Sequence, residues 1–166
     1  SPYGIAKLAA EKYCLQIARD LGIACHVLRY FNTYGPGQTF TPYVGVITIF
    51  IRGLLQGRSP VIFGDGEQRR DFVHVDDVVA ANLLSMKSGL AQGVFNVGTG
   101  RATSVNEIAG LLCSRIDPRC RPGHEPAHPG ELRYSIARIE RISADLGYRP
   151  VATLAGSIDE VIEYYK

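Results

Sequence analysis

The sequence predicts an α/β fold, and three observations carry the prediction. Stretches with apolar residues at helical spacing alternate along the chain with short β-branched or aromatic runs. The run at 23–31 is apolar almost without interruption, like a strand buried on both faces of a sheet. Glycine and proline fall mainly between these segments.

Taken in order, Ile5, Leu8, Ala9, Leu15, Ala18 and Leu21 recur at helical spacing. Residues 3–21 therefore form a helix that Gly22 stops. The strand at 23–31 follows, then a loop over 32–38 with Gly35, Pro36 and Gly37. A helix over 44–55 ends at Gly57. A short strand at 61–63 leads into a turn at 64–66, and 71–75 alternates as another strand. Asp76 or Asp77 caps a helix running to about Met86, with Leu83, Leu84 and Met86 in the core. Residues 93–98 read as a strand entering a glycine turn. Ser104 and Glu107 have capping-box spacing, so a helix runs on to about Ile116. Residues 117–130 carry four prolines and are irregular. A strand at 132–136, a helix at 137–146 stopped by Gly147, and a last helix from Thr153 or Leu154 to Tyr165 complete the reading.

Composition narrows the function classes. With 166 residues, 46% hydrophobic and 20% charged, the chain suits one globular domain or part of a larger one. A net charge of +2 is too small an excess to argue for nucleic acid or an anionic membrane. No apolar run reaches the roughly 18 residues of a membrane span. Cys14, Cys25, Cys113 and Cys120 lack C-x-x-C spacing. Cys14 and Cys25 read as buried free thiols in a reducing, cytoplasmic compartment. The chain starts Ser1-Pro2 without an initiator Met, as expected of a piece of a longer product.

Tyr3 and Lys7 stand four apart at the head of a helix, so both side chains share one face. An ammonium beside a phenol favours the phenolate, and such a tyrosine can exchange a proton with a hydroxyl. In Arg69-Arg70, the planar guanidinium of Arg70 suits bidentate binding of phosphate, while Arg69 reads as a solvated surface charge. The run His124-Glu-Pro-Ala-His128 spells H-E-x-x-H, but Pro126 prevents the helix that a zinc site of this pattern needs. Gly98 and Gly100 are read as turn residues, because Thr103 breaks a G-x-G-x-x-G fingerprint.

Several motifs occur together in order: SPYGIAKLAAEKY at 1–13, LRYFNTYGPGQ at 28–38, VIFGDGEQRRDFVHVDD at 61–77, FNVGTG at 95–100, and the segment from Pro129-Gly-Glu131 to Pro150. Together they resemble the extended short-chain dehydrogenase/reductase family of NAD-dependent epimerases and dehydratases. The resemblance covers essentially the whole chain and is greatest to the UDP-glucose 4-epimerase group. It implies the C-terminal part of a Rossmann-type parallel sheet plus a small α/β substrate-binding lobe. Residues 1–38 would hold the active-site helix and a late strand of the dinucleotide-binding domain. Residues 39–166 would be mainly the substrate lobe, with 76–116 returning to the dinucleotide-binding domain.

The resemblance also implies roles. Tyr3 would be the catalytic acid/base and Lys7 its electrostatic partner, with both and Tyr30 facing NAD. Asn32, Val46, Ile47, Val61, Phe63, Arg70, His128 and Glu131 would bind the nucleotide sugar, a UDP-hexose, with Arg70 on its diphosphate. Two positions depart from the family pattern: His128 stands where the family often has Arg, and Arg138 where an acidic residue is common. The implied activity is epimerisation through transient oxidation at sugar C4. A 4,6-dehydratase or decarboxylase of the same family, and a non-catalytic substrate-lobe remnant, are the alternatives. The family's dinucleotide glycine loop and catalytic Ser or Thr have no match in these 166 residues. The chain alone is therefore expected to be inactive, and its parent a homodimer. With the partner helix absent, uncovered apolar faces on the Tyr helix and the strand at 23–31 are expected to drive a non-native oligomer.

Overall fold

The computed structural model describes residues 1–41 and 44–166. The elements run α1 (Pro2–Asp20), β1 (Cys25–Tyr30), β2 (Asn32–Tyr34), α2 (Val46–Leu55), β3 (Val61–Phe63), β4 (Arg69–Arg70) and β5 (Phe72–His74). They continue with α3 (Val75–Lys87), β6 (Gln92–Val97), β7 (Thr103–Ser104), α4 (Val105–Ile116), β8 (Gly123–Glu125), β9 (Tyr134–Ser135), α5 (Glu140–Leu146) and α6 (Leu154–Tyr165). The α/β class is the one the alternation predicts. The longest pairing is parallel, β1 on β6, with Leu28 opposite Phe95 and Tyr30 opposite Val97. β2 pairs with β5, and β3 with β8, both parallel. β4 lies between β7 and β9. Among the described residues, no helix is long and apolar enough to cross a membrane.

Local chemistry accounts for several helix ends. Ser1 caps α1 by accepting from Gly4 N, and Pro2 sits where its missing N–H costs nothing. Ser104 and Glu107 form the reciprocal capping box at α4. Gly147, at φ 69°, ends α5 in the left-handed conformation. Thr153 caps α6.

Two cores result. One gathers α2, α4 and α6 around Ile51, Ile108, Leu112 and Ile158, with Tyr34 and Phe72 from the β2–β5 pair. The other packs α3, β6 and α5 around Val73, Phe95, Ile142 and Tyr148. Burial pushes the Tyr148 phenol up, and its hydroxyl donates to Gly98 O at 3.0 Å.

Asp71 lies between the cores and is fully buried. Its carboxylate accepts from Thr99 N (2.8 Å), Thr99 Oγ1 (2.7 Å), Gly100 N (2.8 Å) and Ala137 N (3.1 Å). Gly98 is small because of this junction. A Cβ there would stand 2.5 Å from Ala137 Cβ and 2.7 Å from Asp71 Oδ2. Gly100 turns at φ 73°.

Several expectations change. The supposed loop at 32–38 begins with β2, and the irregular 117–130 stretch contains β8; each exists because a distant strand pairs with it. The cap of α3 is His74, whose Nδ1 accepts from Asp76 N at 3.3 Å, and not Asp76 or Asp77. Asp77 is instead buried, its carboxylate accepting from Val151 N and Ala152 N. Cys14 is exposed rather than buried, because nothing among the described residues covers its face of α1. Leu84 packs on the second core, but Leu83 and Met86 are exposed. The α5 helix begins three residues later than its periodicity implies, after Ala137 N has been drawn to Asp71.

Replacing Asp71 with Ala takes the acceptor from three backbone N–H groups and a hydroxyl at a partly buried junction. We expect a loss of roughly 3 kcal/mol or more, read as a fall in the urea midpoint at unchanged slope.

Candidate active site

Tyr3 lies in the first turn of α1, which the Ser1 cap starts, and Lys7 follows one turn on. The Lys7 Nζ sits 5.6 Å from the centroid of the Tyr3 ring, over its face. Among the described residues, no carboxylate lies within ion-pair distance of Lys7. The helix is held to the sheet by Glu11. That carboxylate takes two hydrogen bonds from Arg29 of β1, Nε to Oε2 and Nη2 to Oε1, both at 2.8 Å. The Arg29 hydrogen bonds hold the Glu11 carboxyl below its ordinary value near 4.5. Much of the rest of α1 is uncovered: Ile5, Leu8, Tyr13 and Ile17 are all exposed, as expected of this helix.

A cleft of about 640 Å³ opens beside Tyr3. Its floor includes Asn32 of β2, whose backbone N–H and Nδ2 both donate to Asp71 O, at 3.0 and 3.1 Å. Oδ1 and the second Nδ2 proton of that side chain are left for a ligand. One wall is the start of α2, which has Gly45 as N-cap and no side-chain cap. Val46 is partly buried there. Ile47 borders the cleft too, but at 2% exposed it belongs to the first core.

The opposite wall combines β3, β4 and the turn after β8. Val61 is exposed at the rim, and the Phe63 ring lies 4.1 Å from the His128 ring, tilted by 34°. Arg70 is largely buried. It spends Nη1 on Arg69 O (3.0 Å) and Nη2 on Glu131 Oε1 (3.2 Å), leaving further donors on its guanidinium. The turn His128–Glu131, closed at Gly130 with φ 79°, thus touches the wall twice, through His128 on Phe63 and Glu131 on Arg70. His124 is on β8, where its Nδ1 meets Gly64 O at 2.8 Å; it does not share a helix face with His128.

A second cavity of about 540 Å³ lies between α1 and β1. Lys7, Val27 and Tyr30 border it, and so does Tyr3, which borders the first cleft too. The Tyr30 hydroxyl donates to Asn82 Oδ1 at 3.0 Å, tying the end of β1 to α3. The structure therefore brings Asn32, Val46, Ile47, Val61, Phe63, Arg70, His128 and Glu131 to one cleft, and Lys7 and Tyr30 to its neighbour. Tyr3 is common to both.

Sequence reasoning missed several cleft residues, among them the two amides Gln38 and Gln68. Gln68 is buried and donates to Phe63 O at 3.0 Å. Both amides sit inside the recognised motifs, but an uncharged amide carries no spacing signal of its own. Arg69, read as a surface charge, pairs at 3.6–3.7 Å with Glu67 and Glu107.

Comparison with known proteins gives consistent results. Residues 1–98 match the model of the NAD dependent epimerase/dehydratase family. The UDP-glucose 4-epimerase of Mycolicibacterium smegmatis is 36% identical over 167 aligned residues, covering all of this chain and 53% of that protein. The UDP-glucose 4-epimerase of Thermotoga maritima, solved with UDP-glucose, superposes with a TM-score of 0.93 at 43% identity, over 99% of this chain and 53% of its own. The Thermus thermophilus UDP-glucose 4-epimerase, solved with NAD, gives a TM-score of 0.87 at 30% identity, over 99% and 54%. The chain spans about half the length of the curated relatives it matches.

The docking of α1 should depend on acid. Because the folded-state pKa of Glu11 lies below its unfolded value, its contribution is complete above the ordinary glutamate range. It is lost as pH falls through the lowered value. Thermal melts of the wild type should show this acid-side decline, and Glu11→Gln should flatten it while lowering stability at neutral pH.

Proposed function

We infer the function from a settled membership: the chain belongs to the NAD dependent epimerase/dehydratase family. We propose that it carries the proton-transfer and substrate-binding residues of an NAD-dependent nucleotide-sugar epimerase of the UDP-glucose 4-epimerase kind. The observation that carries this reading is the place of Tyr3. One phenol borders both the cleft that holds Arg70 and the cavity that holds Lys7. A proton-transfer group between a sugar and a redox cofactor needs that position.

The residues present fit the nicotinamide end of NAD. Lys7 has no competing carboxylate among the described residues, and the apolar wall of β1 ends in Tyr30. Lys7 and Tyr3 would hold ribose hydroxyls. When bound, NAD supplies a hydride acceptor and donor at the sugar carbon. This chain's own part is the proton: Tyr3 Oη takes it from the C4 hydroxyl and returns it after the sugar has turned, with the Lys7 charge favouring the phenolate.

Arg70 and, when protonated, His128 would receive the diphosphate. Asn32 Oδ1 and the backbone at Val46 and Ile47 would orient the ligand along the floor. Val61 and Phe63 would face the base, and Glu131 would accept from a ribose hydroxyl. A UDP-hexose is the substrate this reading names, supported by the UDP-glucose that the Thermotoga maritima relative was solved with.

The same reading assigns 1–38 to the dinucleotide-binding part and 39–166 mainly to the substrate lobe. The second core, shared by α3 and β6, supports a return of this region to the dinucleotide side, although α4 shares its core with α2 and α6. The uncovered Ile5, Leu8 and Ile17 support α1 as an association surface in a homodimeric parent. Four free cysteines support a cytoplasmic setting.

In the protein that carries this chain, Tyr3→Phe should slow interconversion of UDP-glucose and UDP-galactose by about 10²–10⁴-fold, with UDP-glucose affinity kept. An unchanged rate refutes the assignment. Arg70→Ala should weaken UDP-glucose binding by roughly 10–100-fold, measured by calorimetry, and weaken glucose-free UDP equally.

A further inference from the structure

The segment that leaves β2 is tied to the last residue of α6. The Tyr165 hydroxyl donates to Gln38 O at 2.6 Å and lies 3.3 Å from Thr48 Oγ1. Thr48, on α2 and 1% exposed, donates to Gln38 Oε1 at 2.7 Å. The Tyr165 proton goes to the main-chain carbonyl of Gln38, and Thr48 donates its own to the side-chain Oε1. Both acceptors of Gln38 are then used. Its Nε2 amino group has no partner among the described residues, and Gln38 is a half-buried residue of the cleft that Tyr3 and Arg70 border. The Tyr165 ring is itself steadied, edge-on to Tyr164 at 5.1 Å and packed on the first core.

We propose that Tyr165 is a positioning residue of the cleft, locking Gln38 so that its side-chain amide donates to an oxygen of the bound nucleotide sugar. The ligand named here rests on the function proposed above; the lock itself does not. A free glutamine has to be ordered as the ligand binds, whereas this one is ordered beforehand, and that preorganisation favours affinity. Its donor is neutral and selects for an acceptor oxygen, complementing the charge of Arg70.

Side-chain amide signals of the ¹⁵N-labelled chain test both parts. In the wild type, the two Gln38 Nε2 protons should be well separated and sharp, and should shift as UDP-glucose is added. Tyr165→Phe removes a hydroxyl with little change in packing. It should move the pair towards the averaged position of a mobile glutamine and leave distant backbone signals in place. Its Kd for UDP-glucose should rise about fivefold, Gln38→Ala should match it, and the double variant should lose no more. Unaltered Gln38 signals in Tyr165→Phe overturn the lock, and losses that add in the double variant overturn its action through Gln38. A wild-type chain whose spectrum ignores UDP-glucose overturns the donor role and the sugar-nucleotide reading together, while the Gln38 signals still decide whether the lock exists.

Discussion

One buried carboxylate holds the molecule together. Asp71 cannot be removed from water as an anion unless its lone pairs are met, and they are met by four donors from two separate segments. Its main chain extends the same junction. The carbonyl receives Asn32 twice, and the N–H donates to Ser135 O at 3.0 Å. The start of β2, the glycine turn after β6, strand β9 and the approach to α5 are thus all set relative to one residue. Arg70 precedes it and β5 follows it. The cation in the cleft therefore has its position fixed by a polar contact that never faces the ligand.

The two sides of the candidate site are built with unequal firmness. The cleft walls rest on a dense core of branched and aromatic side chains from α2, α4 and α6. Tyr3, by contrast, rides on a helix held by the Glu11–Arg29 pair, by Gln92 at Leu15 and Arg19, and by a small buried patch around Ala18. Packing energy scales with apolar area removed from water, and α1 leaves much of its apolar stripe wet. The phenol's place beside the cleft consequently depends on Glu11 and Arg29 more than on burial. Both lie on the cavity side of the helix, away from the cleft that Arg70 lines.

Short polar contacts also tie together chain segments far apart in sequence. Gln92 Nε2 reaches Leu15 O from β6, Tyr30 reaches Asn82 of α3, and Tyr165 reaches Gln38 from α6. Each joins residues more than 50 positions apart, through a group that must find a partner once it leaves water. They give a small domain several fixed points between elements distant in sequence.

By itself the sequence determined what depends on neighbours three or four residues away. The capping box of α4, the Gly147 stop, the extent of α6 and the Tyr3–Lys7 face are all local, and the structure has them where the spacing places them. Part of the cleft lining, such as Arg70, Phe63 and Glu131, lay in motifs the sequence shows, whereas Gln38 and Gln68 carried no signal of their own. Tertiary structure alone decided the rest. Strands of two or three residues such as β2, β4 and β8 have no period to read; they exist because a distant strand offers its hydrogen bonds. The choice of His74 over Asp76 or Asp77 as a cap followed from what else could use each side chain, since Asp77 had two amides of the 151–152 loop to satisfy. The exposure of Cys14, Leu83 and Met86 likewise depends on which faces meet another element, and helical periodicity marks an apolar face without supplying the surface that covers it.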